Sequence, residues 1–200
     1  MKLILVRHAE SVGNRDGIIQ GQKDYKLSKQ GEKEAERVAK RLKNINFKAI
    51  FSSDLSRARQ TAEIISEFHS GVPIHFSKIL RERHIGYLQG KKIAEIKDLE
   101  KIRERYKTRR PKGGETYGEV KKRAKKFLDN LLKKYPKDTI LIVTHGGFIR
   151  MLWSAVASEP IKKTFEKEIF LHNTCVNEIE VLPDRSYKII RINCIKHLDK

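Results

Sequence analysis

Two short runs with unbroken apolar centres, KLILV at 2–6 and TILIV at 139–143, constrain this chain more than any other feature. They are far shorter than the roughly 20 apolar residues a membrane helix needs. They also lack the polar alternation of a strand with one face in water. Such runs suit strands covered on both faces, as in a mostly parallel sheet flanked by helices. The segments between them fit that architecture. Ser28 opens a helix with Ala35, Val38, Ala39 and Leu42 at helical spacing, and 48–52 reads as a strand. A helix opening at Asp54 or Leu55 aligns Ala58, Ala62 and Ile65, and 73–76 forms a short strand. The strongly basic segment 91–107 is helical by pattern, and KTRRPKGG at 107–114 is a loop by its proline and glycines. From Thr116 a long helix carries Val120, Ala124, Phe127, Leu128, Leu131 and Leu132 on one side. A helix from Phe148 to about Ala157 follows, and two strands turning at 183–186 end the chain as a hairpin. Strand–helix alternation of this kind argues an α/β fold in one domain, 1–200, with a cap-like insert at about 80–123.

Composition enters through charge. Against 25 acidic residues stand 44 Lys and Arg, a formal charge of +19, and such a field favours anionic ligands. It suits phosphate esters, nucleic acid, or a merely solvated surface. The best nucleic-acid candidate is LEKIRERYKTRRPKGG at 99–114, but it matches no RNA-binding motif and offers a single Tyr for stacking. Nucleic acid is therefore not expected as the partner. The N-terminus, MKLILVRHAES, passes straight into charge with no small-residue cleavage site, so a cytoplasmic location and no membrane partner are expected. Cys175 and Cys194 are too few for a zinc site. They flank the hairpin and could face each other across it, although cytosolic thiols are usually reduced.

In open α/β sheets, ligands bind beyond the carboxyl ends of the strands. Strand 2–6 runs into Arg7 and His8, strand 139–143 into Thr144, His145, Gly146 and Gly147, and strand 48–52 into Ser52, Ser53 and Asp54 with Arg57 and Arg59 a turn later. Taken singly these are weak signals: a histidine after a strand is usually structural, and an Arg on a helix is usually solvated. Together they deliver two imidazoles and up to three guanidinium groups to one edge of the sheet. Guanidinium forks match the oxygens of a phosphoryl group, and an imidazole can carry that group covalently. The glycines open a helix whose N–H groups can face an anion.

The segments LVRHAES, IIQGQKDYKLSKQGEKEA, FSSDLSRARQTAEII, LRERHIGYLQG, GGETYGEVKKRA and LIVTHGGFIRML together resemble the histidine phosphatase superfamily, in the family's order and over nearly the whole chain. The resemblance implies a phosphoglycerate mutase-like three-layer sandwich, with helices on both faces of the sheet and a C-terminal hairpin. It implies a phosphomonoester hydrolase working through phosphohistidine, with no metal and no cofactor. It assigns His8 as nucleophile and Arg7, Arg57 and His145 as ligands of the phosphoryl oxygens. Asn14, Gln20, Gly21 and Gly146 fall at substrate-binding positions, and Glu82 is the general acid and base. The partner is then a small anionic phosphorylated substrate, and a homodimer stays open. Two departures stand out: Ala9 where many members have Gly, and Leu88-Gln89 where many phosphatases have Trp-Glu. Gln89 lies closer to the mutase branch, and Arg109-Arg110-Pro111 could mimic the mutase arginine pair. The short chain, GGETYGEVKKRA and the hairpin favour phosphatase over cofactor-dependent phosphoglycerate mutase. The Lys and Arg content of 80–123 suggests an anionic leaving group.

Overall fold

The computed structural model describes residues 1–166 and 169–199. In chain order the elements are β1 (Lys2–Arg7), α1 (Val12–Arg15), α2 (Lys29–Leu42), β2 (Ala49–Ser53), α3 (Ser56–Ser66), β3 (Ile74–Ser77), α4 (Leu99–Thr108), α5 (Tyr117–Lys134), β4 (Thr139–Thr144), α6 (Gly146–Val156), α7 (Ile161–Glu166), β5 (Val176–Val181) and β6 (Tyr187–Cys194), with short 3-10 turns between β3 and α4. Among the described residues the strands form one sheet in the order β3-β2-β4-β1-β5-β6. The first four strands are mutually parallel, and the terminal hairpin adds β5 antiparallel to β1.

Strand periodicity sorts the apolar runs onto two faces. Leu3, Leu5, Ile140 and Ile142 pack under α5 and α6, with Val120, Ala124, Phe148 and Leu152. Their neighbours Ile4, Val6, Leu141 and Val143 pack under α2 and α3, with Val38, Leu42, Ala58 and Ile65. The central strands read as unbroken apolar runs because both faces are covered. This is the three-layer α/β sandwich.

Registers matter more than the layers for function. Arg7 pairs with Thr144 across β1 and β4, and Ser52 pairs with Val143 across β2 and β4. Three strand ends therefore stop at one level, and the residues just after them meet.

Several boundaries differ from the sequence pattern. The segment 91–107 is not one helix: a 3-10 turn at Ile93–Glu95 gives way to α4 at Leu99. The break falls at Asp98, which takes a left-handed conformation (φ 53°), one that Asp tolerates better than most residues. The helix after β4 begins at Gly146 rather than Phe148, because the two glycines continue directly out of the strand. Two short helices, α1 and α7, escape pattern reading because neither is long enough to show a period. The first two turns of α5 overlap the insert as bounded at about 80–123, since Val120 is already in the core. The cysteines do not face each other. Cys175 lies in the core beneath α5 and α6, while Cys194 meets Arg41 of α2 on the opposite face, and both are free.

One close approach ties α2 to the loop behind His8. Ser28 caps α2 and donates its backbone N–H to the Glu10 carbonyl, and a Cβ on Gly31 would stand 1.9 Å from that same oxygen. Gly→Ala within a helix normally stabilises by about 1 kcal/mol. Here Gly31→Ala should instead destabilise, by about 1–3 kcal/mol, because backbone must shift. A urea titration reads the sign, and an unchanged or raised midpoint would show that the loop yields freely.

Candidate active site

His8 is the first residue past β1 and is 4% exposed. Its backbone is fixed from two sides: its N–H donates to the Thr144 carbonyl (2.8 Å), and Asn173 Nδ2 donates to its carbonyl (2.8 Å). The next N–H, of Ala9, donates to Thr61 Oγ1 (3.0 Å), whose own hydroxyl donates to the Arg57 carbonyl (2.7 Å). The ring is oriented by Nδ1, 2.8 Å from the Ala9 carbonyl, so this nitrogen carries the proton. Nε2 is left as the nitrogen with a lone pair. Burial, then Arg57 and Arg7, push the His8 imidazolium well below its ordinary range, so the ring is neutral.

His145 follows β4 and lies with its ring centroid 5.1 Å from that of His8. Its Nε2 is 2.9 Å from Ser53 Oγ, and its buried Nδ1 has no partner among the described residues. Burial, followed by Arg57, pushes it well below the ordinary histidine range too. A Ser53 hydroxyl donating to Nε2 leaves Nδ1–H as a donor for a ligand.

Two guanidinium groups complete the charge. Arg57, 1% exposed, donates to the carbonyls of Gly21 (2.7 Å) and Lys23 (3.0 Å), and burial lowers it to about 10. Arg7 donates to the Leu171 carbonyl, and burial lowers it as well. Each keeps a buried Nε without a partner among the described residues. Glu82 stands across the cavity, held by the N–H groups of Arg83 (2.8 Å) and Gly147 (3.0 Å).

These groups form one end of a cavity of about 570 Å³, whose walls include Arg7, His8, Asn14, Gln20, Gly21, Arg57 and Glu82. Asn14 turns its Oδ1 to the Ser11 N–H (3.2 Å), which leaves its amide NH₂ as the available group. Gln20 Oε1 accepts from Ser11 Oγ (2.9 Å). Gly21, at φ 53°, has no room for a Cβ, which would lie 2.2 Å from Gln89 Oε1. His145 and Gly146 stand behind the lining: His145 touches His8, and Gly146 sits beside Arg7, while Gly147 is the glycine on the wall.

Sequence reading assigned no role to Ser53, Thr61, Arg83, Tyr117 or Arg150. All five lie within the superfamily-like segments, and for Ser53 and Thr61 polarity at buried positions is the signal. Arg83 is buried, donates to the Tyr106 carbonyl (2.7 Å) and stacks 3.9 Å from the Tyr117 ring. Arg150, one turn into α6, donates to the Ile169 carbonyl and lines the cavity. Arg109 and Arg110 do not join the site. Arg110 pairs with Glu119 (2.7 Å) at the surface and both are exposed, so the proposed mimic of a mutase arginine pair is not formed. Among the described residues no three His, Cys, Asp or Glu side chains are grouped to hold a metal, and no helix is long and apolar enough to cross a membrane.

Comparison with known proteins bears on this site. Phosphoglycerate mutase-like protein 4 of Arabidopsis thaliana is 33% identical over 209 residues, covering 100% of this chain and 87% of its own length. A metal-independent phosphoserine phosphatase from the same plant is 35% identical across 76% of this chain and 67% of its own. Among solved structures, Bacillus stearothermophilus YhfR superposes with a TM-score of 0.89 at 29% identity, covering 99% of both chains. The profile of the histidine phosphatase superfamily (branch 1) matches residues 3–195, and the chain belongs to that superfamily.

Proposed function

We propose that this chain is a phosphomonoester hydrolase in which His8 is the nucleophile and Glu82 the proton donor. The observation that carries the reading is the tautomer of His8: Nδ1 is committed to the Ala9 carbonyl, so the lone pair sits on Nε2 beside Arg7, Arg57 and His145. Nε2 attacks phosphorus as the bond to the leaving oxygen breaks, and Glu82 gives that oxygen its proton. The two guanidinium groups, the Asn14 amide and His145 Nδ1–H hold the equatorial oxygens as charge spreads onto them. Water then attacks the phosphohistidine, Glu82 takes the proton back, and inorganic phosphate leaves. Gln20 and Gly21 shape the pocket, and Gly146 supports Arg7 from behind. Residues from about 80 to the start of α5 serve as the cap. A small phosphorylated partner and a reducing, cytoplasmic setting belong to the same proposal, supported by two thiols on opposite faces of the sheet.

The nucleic-acid alternative gains nothing from its candidate segment, where several basic side chains already have carboxylate partners. Within 99–114, Arg103 pairs with Glu100, Lys107 with Glu104 and Arg110 with Glu119.

His8→Ala should abolish turnover of every ester. Glu82→Gln should lower hydrolysis of alkyl phosphates by about 10²–10⁴ and of p-nitrophenyl phosphate far less, since a good leaving group needs little protonation. Equal losses on both esters would remove Glu82 from the proton-transfer role. With 3-phosphoglycerate and a trace of 2,3-bisphosphoglycerate, free phosphate should accumulate. Rapid isomerisation without phosphate release would instead establish a mutase.

The neutral histidines also set a pH dependence. In the unfolded chain a histidine titrates near 6.5. His8 in the fold titrates well below that, so its contribution to stability is complete above about pH 6.5 and is lost as pH falls beneath it. One such proton steepens the loss by up to about 1.4 kcal/mol per pH unit. Urea titrations of His8→Asn should decline less steeply than wild type between about pH 6.5 and 5. Parallel curves would mean that His8 protonates freely in the fold.

A further inference from the structure

Away from the phosphoryl groups the cavity wall is largely apolar, although Arg83, Arg103, Lys107 and Arg150 also line it. α4 buries none of its residues, yet Leu99, Ile102 and Tyr106 recur at three- and four-residue spacing and all line the cavity. Ile18, Ile19 and Ile85 contribute to the same walls. An amphipathic helix ordinarily lays its apolar stripe on a core. Here the stripe lies over open volume. The charges of α4 are largely spent locally: Lys101 pairs with Asp98 (3.0 Å), Arg103 with Glu100 (2.6 Å), and Lys107 with Glu104.

Backbone bonds hold these walls apart from collapse. Ile19 N–H donates to the Lys91 carbonyl (2.9 Å), Gly90 N–H to Ile19 (2.8 Å) and Ile93 N–H to Gly17 (2.8 Å). Arg83 donates to the Tyr106 carbonyl near the end of α4 (2.7 Å). Of the Lys and Arg of 80–123, which suggest an anionic leaving group, Arg83, Arg103 and Lys107 line the cavity and the others do not.

We infer that the leaving-group half of the cavity takes an apolar organic body, so that the preferred substrates are phosphomonoesters of aryl or medium-chain alkyl alcohols. The inference rests on the phosphatase reading for its chemistry, but the apolar subsite itself is a matter of binding. The phosphoryl group would sit between Arg7 and Arg57, and the carbon chain would run along Leu99 and Ile102 out of water. The competing outcome is a second anionic group on the substrate, met by Arg83, Arg103, Lys107 or Arg150, which line the same cavity.

Two measurements on the full chain separate these. In the first, ethyl-, butyl- and hexylphosphonate are titrated calorimetrically. Kd should fall about threefold to fourfold per methylene, with a more negative heat-capacity change for the longer chains. A Kd independent of chain length, or tighter binding of 3-phosphonopropionate than of butylphosphonate, would overturn the inference. In the second, ethyl, butyl and hexyl phosphate are hydrolysed. Their alcohols have nearly equal acidity, so the trend in kcat/KM reads the pocket rather than the chemistry. The hexyl-to-ethyl ratio should exceed tenfold, and Ile102→Ser should lower it at least threefold. Turnover with no chain-length trend would sink this inference alone. A binding trend with no turnover of any ester would sink the phosphatase reading and leave the apolar subsite standing.

Discussion

A guanidinium almost wholly out of water, with no carboxylate hydrogen-bonded to it among the described residues, is the constraint around which this structure is arranged. Removing such a cation from solvent costs several kcal/mol, and only hydrogen bonds or opposite charge offset that. Arg57 receives two carbonyls, from Gly21 and Lys23, and nothing at Nε. The loop carrying those carbonyls must therefore be held in place. Gln89 Oε1 accepts the Gln22 N–H (2.7 Å), and Gly21 adopts a left-handed conformation that brings it against Gln89. The same deficit recurs at Arg7 Nε and His145 Nδ1. A fold that leaves several buried donors unmatched around one point is preorganised for an anion, because the anion supplies the missing acceptors at once.

Burial first, and the cations after it, set the state of the imidazoles. A histidine beside carboxylates would be charged and unable to attack phosphorus. His8 and His145 instead face Arg57 and Arg7 in a site where water is scarce, and both effects favour the neutral ring. In the proposed reaction the guanidinium groups that bind the electrophile also add to the burial that keeps the nucleophile neutral. The sheet makes this possible through register: pairing Arg7 with Thr144 in a parallel ladder places the following residues, His8 and His145, side by side. A slip of one residue would turn the side chains to opposite faces.

Scaffold and specificity are divided between different parts of the chain. The strand ends, α2, α3 and α6 position the phosphoryl site, together with the 17–23 loop, whose Gly21 and Lys23 carbonyls hold Arg57. The far half of the cavity is built from α4 and from the 17–23 and 85–93 loops, which pair with each other rather than with the sheet. Loops on a rigid scaffold are where relatives diverge. Superfamily membership therefore speaks to the chemistry at phosphorus and much less to what the phosphate is attached to.

The sequence by itself determined the layered fold and the floor of the site. Unbroken apolar strands require cover on both faces, and a strand that ends in Arg-His or Thr-His delivers those side chains wherever strand ends gather. That His8, His145 and Arg57 gather at one edge was legible on that basis, whereas Glu82 came only from the resemblance of its segment to the superfamily. What only the tertiary structure decided depends on partners distant in the chain. The pairing of Ser53 with His145, the sorting of Cys175 and Cys194 onto opposite faces, and the removal of Arg110 to the surface have no local signature. Composition says little about the character of the leaving-group cavity, because a count of lysines and arginines carries no direction. The helical period of α4 turns Leu99, Ile102 and Tyr106 to the cavity, with Arg103 and Lys107 beside them, and only the position of that helix over the site says what lies inward.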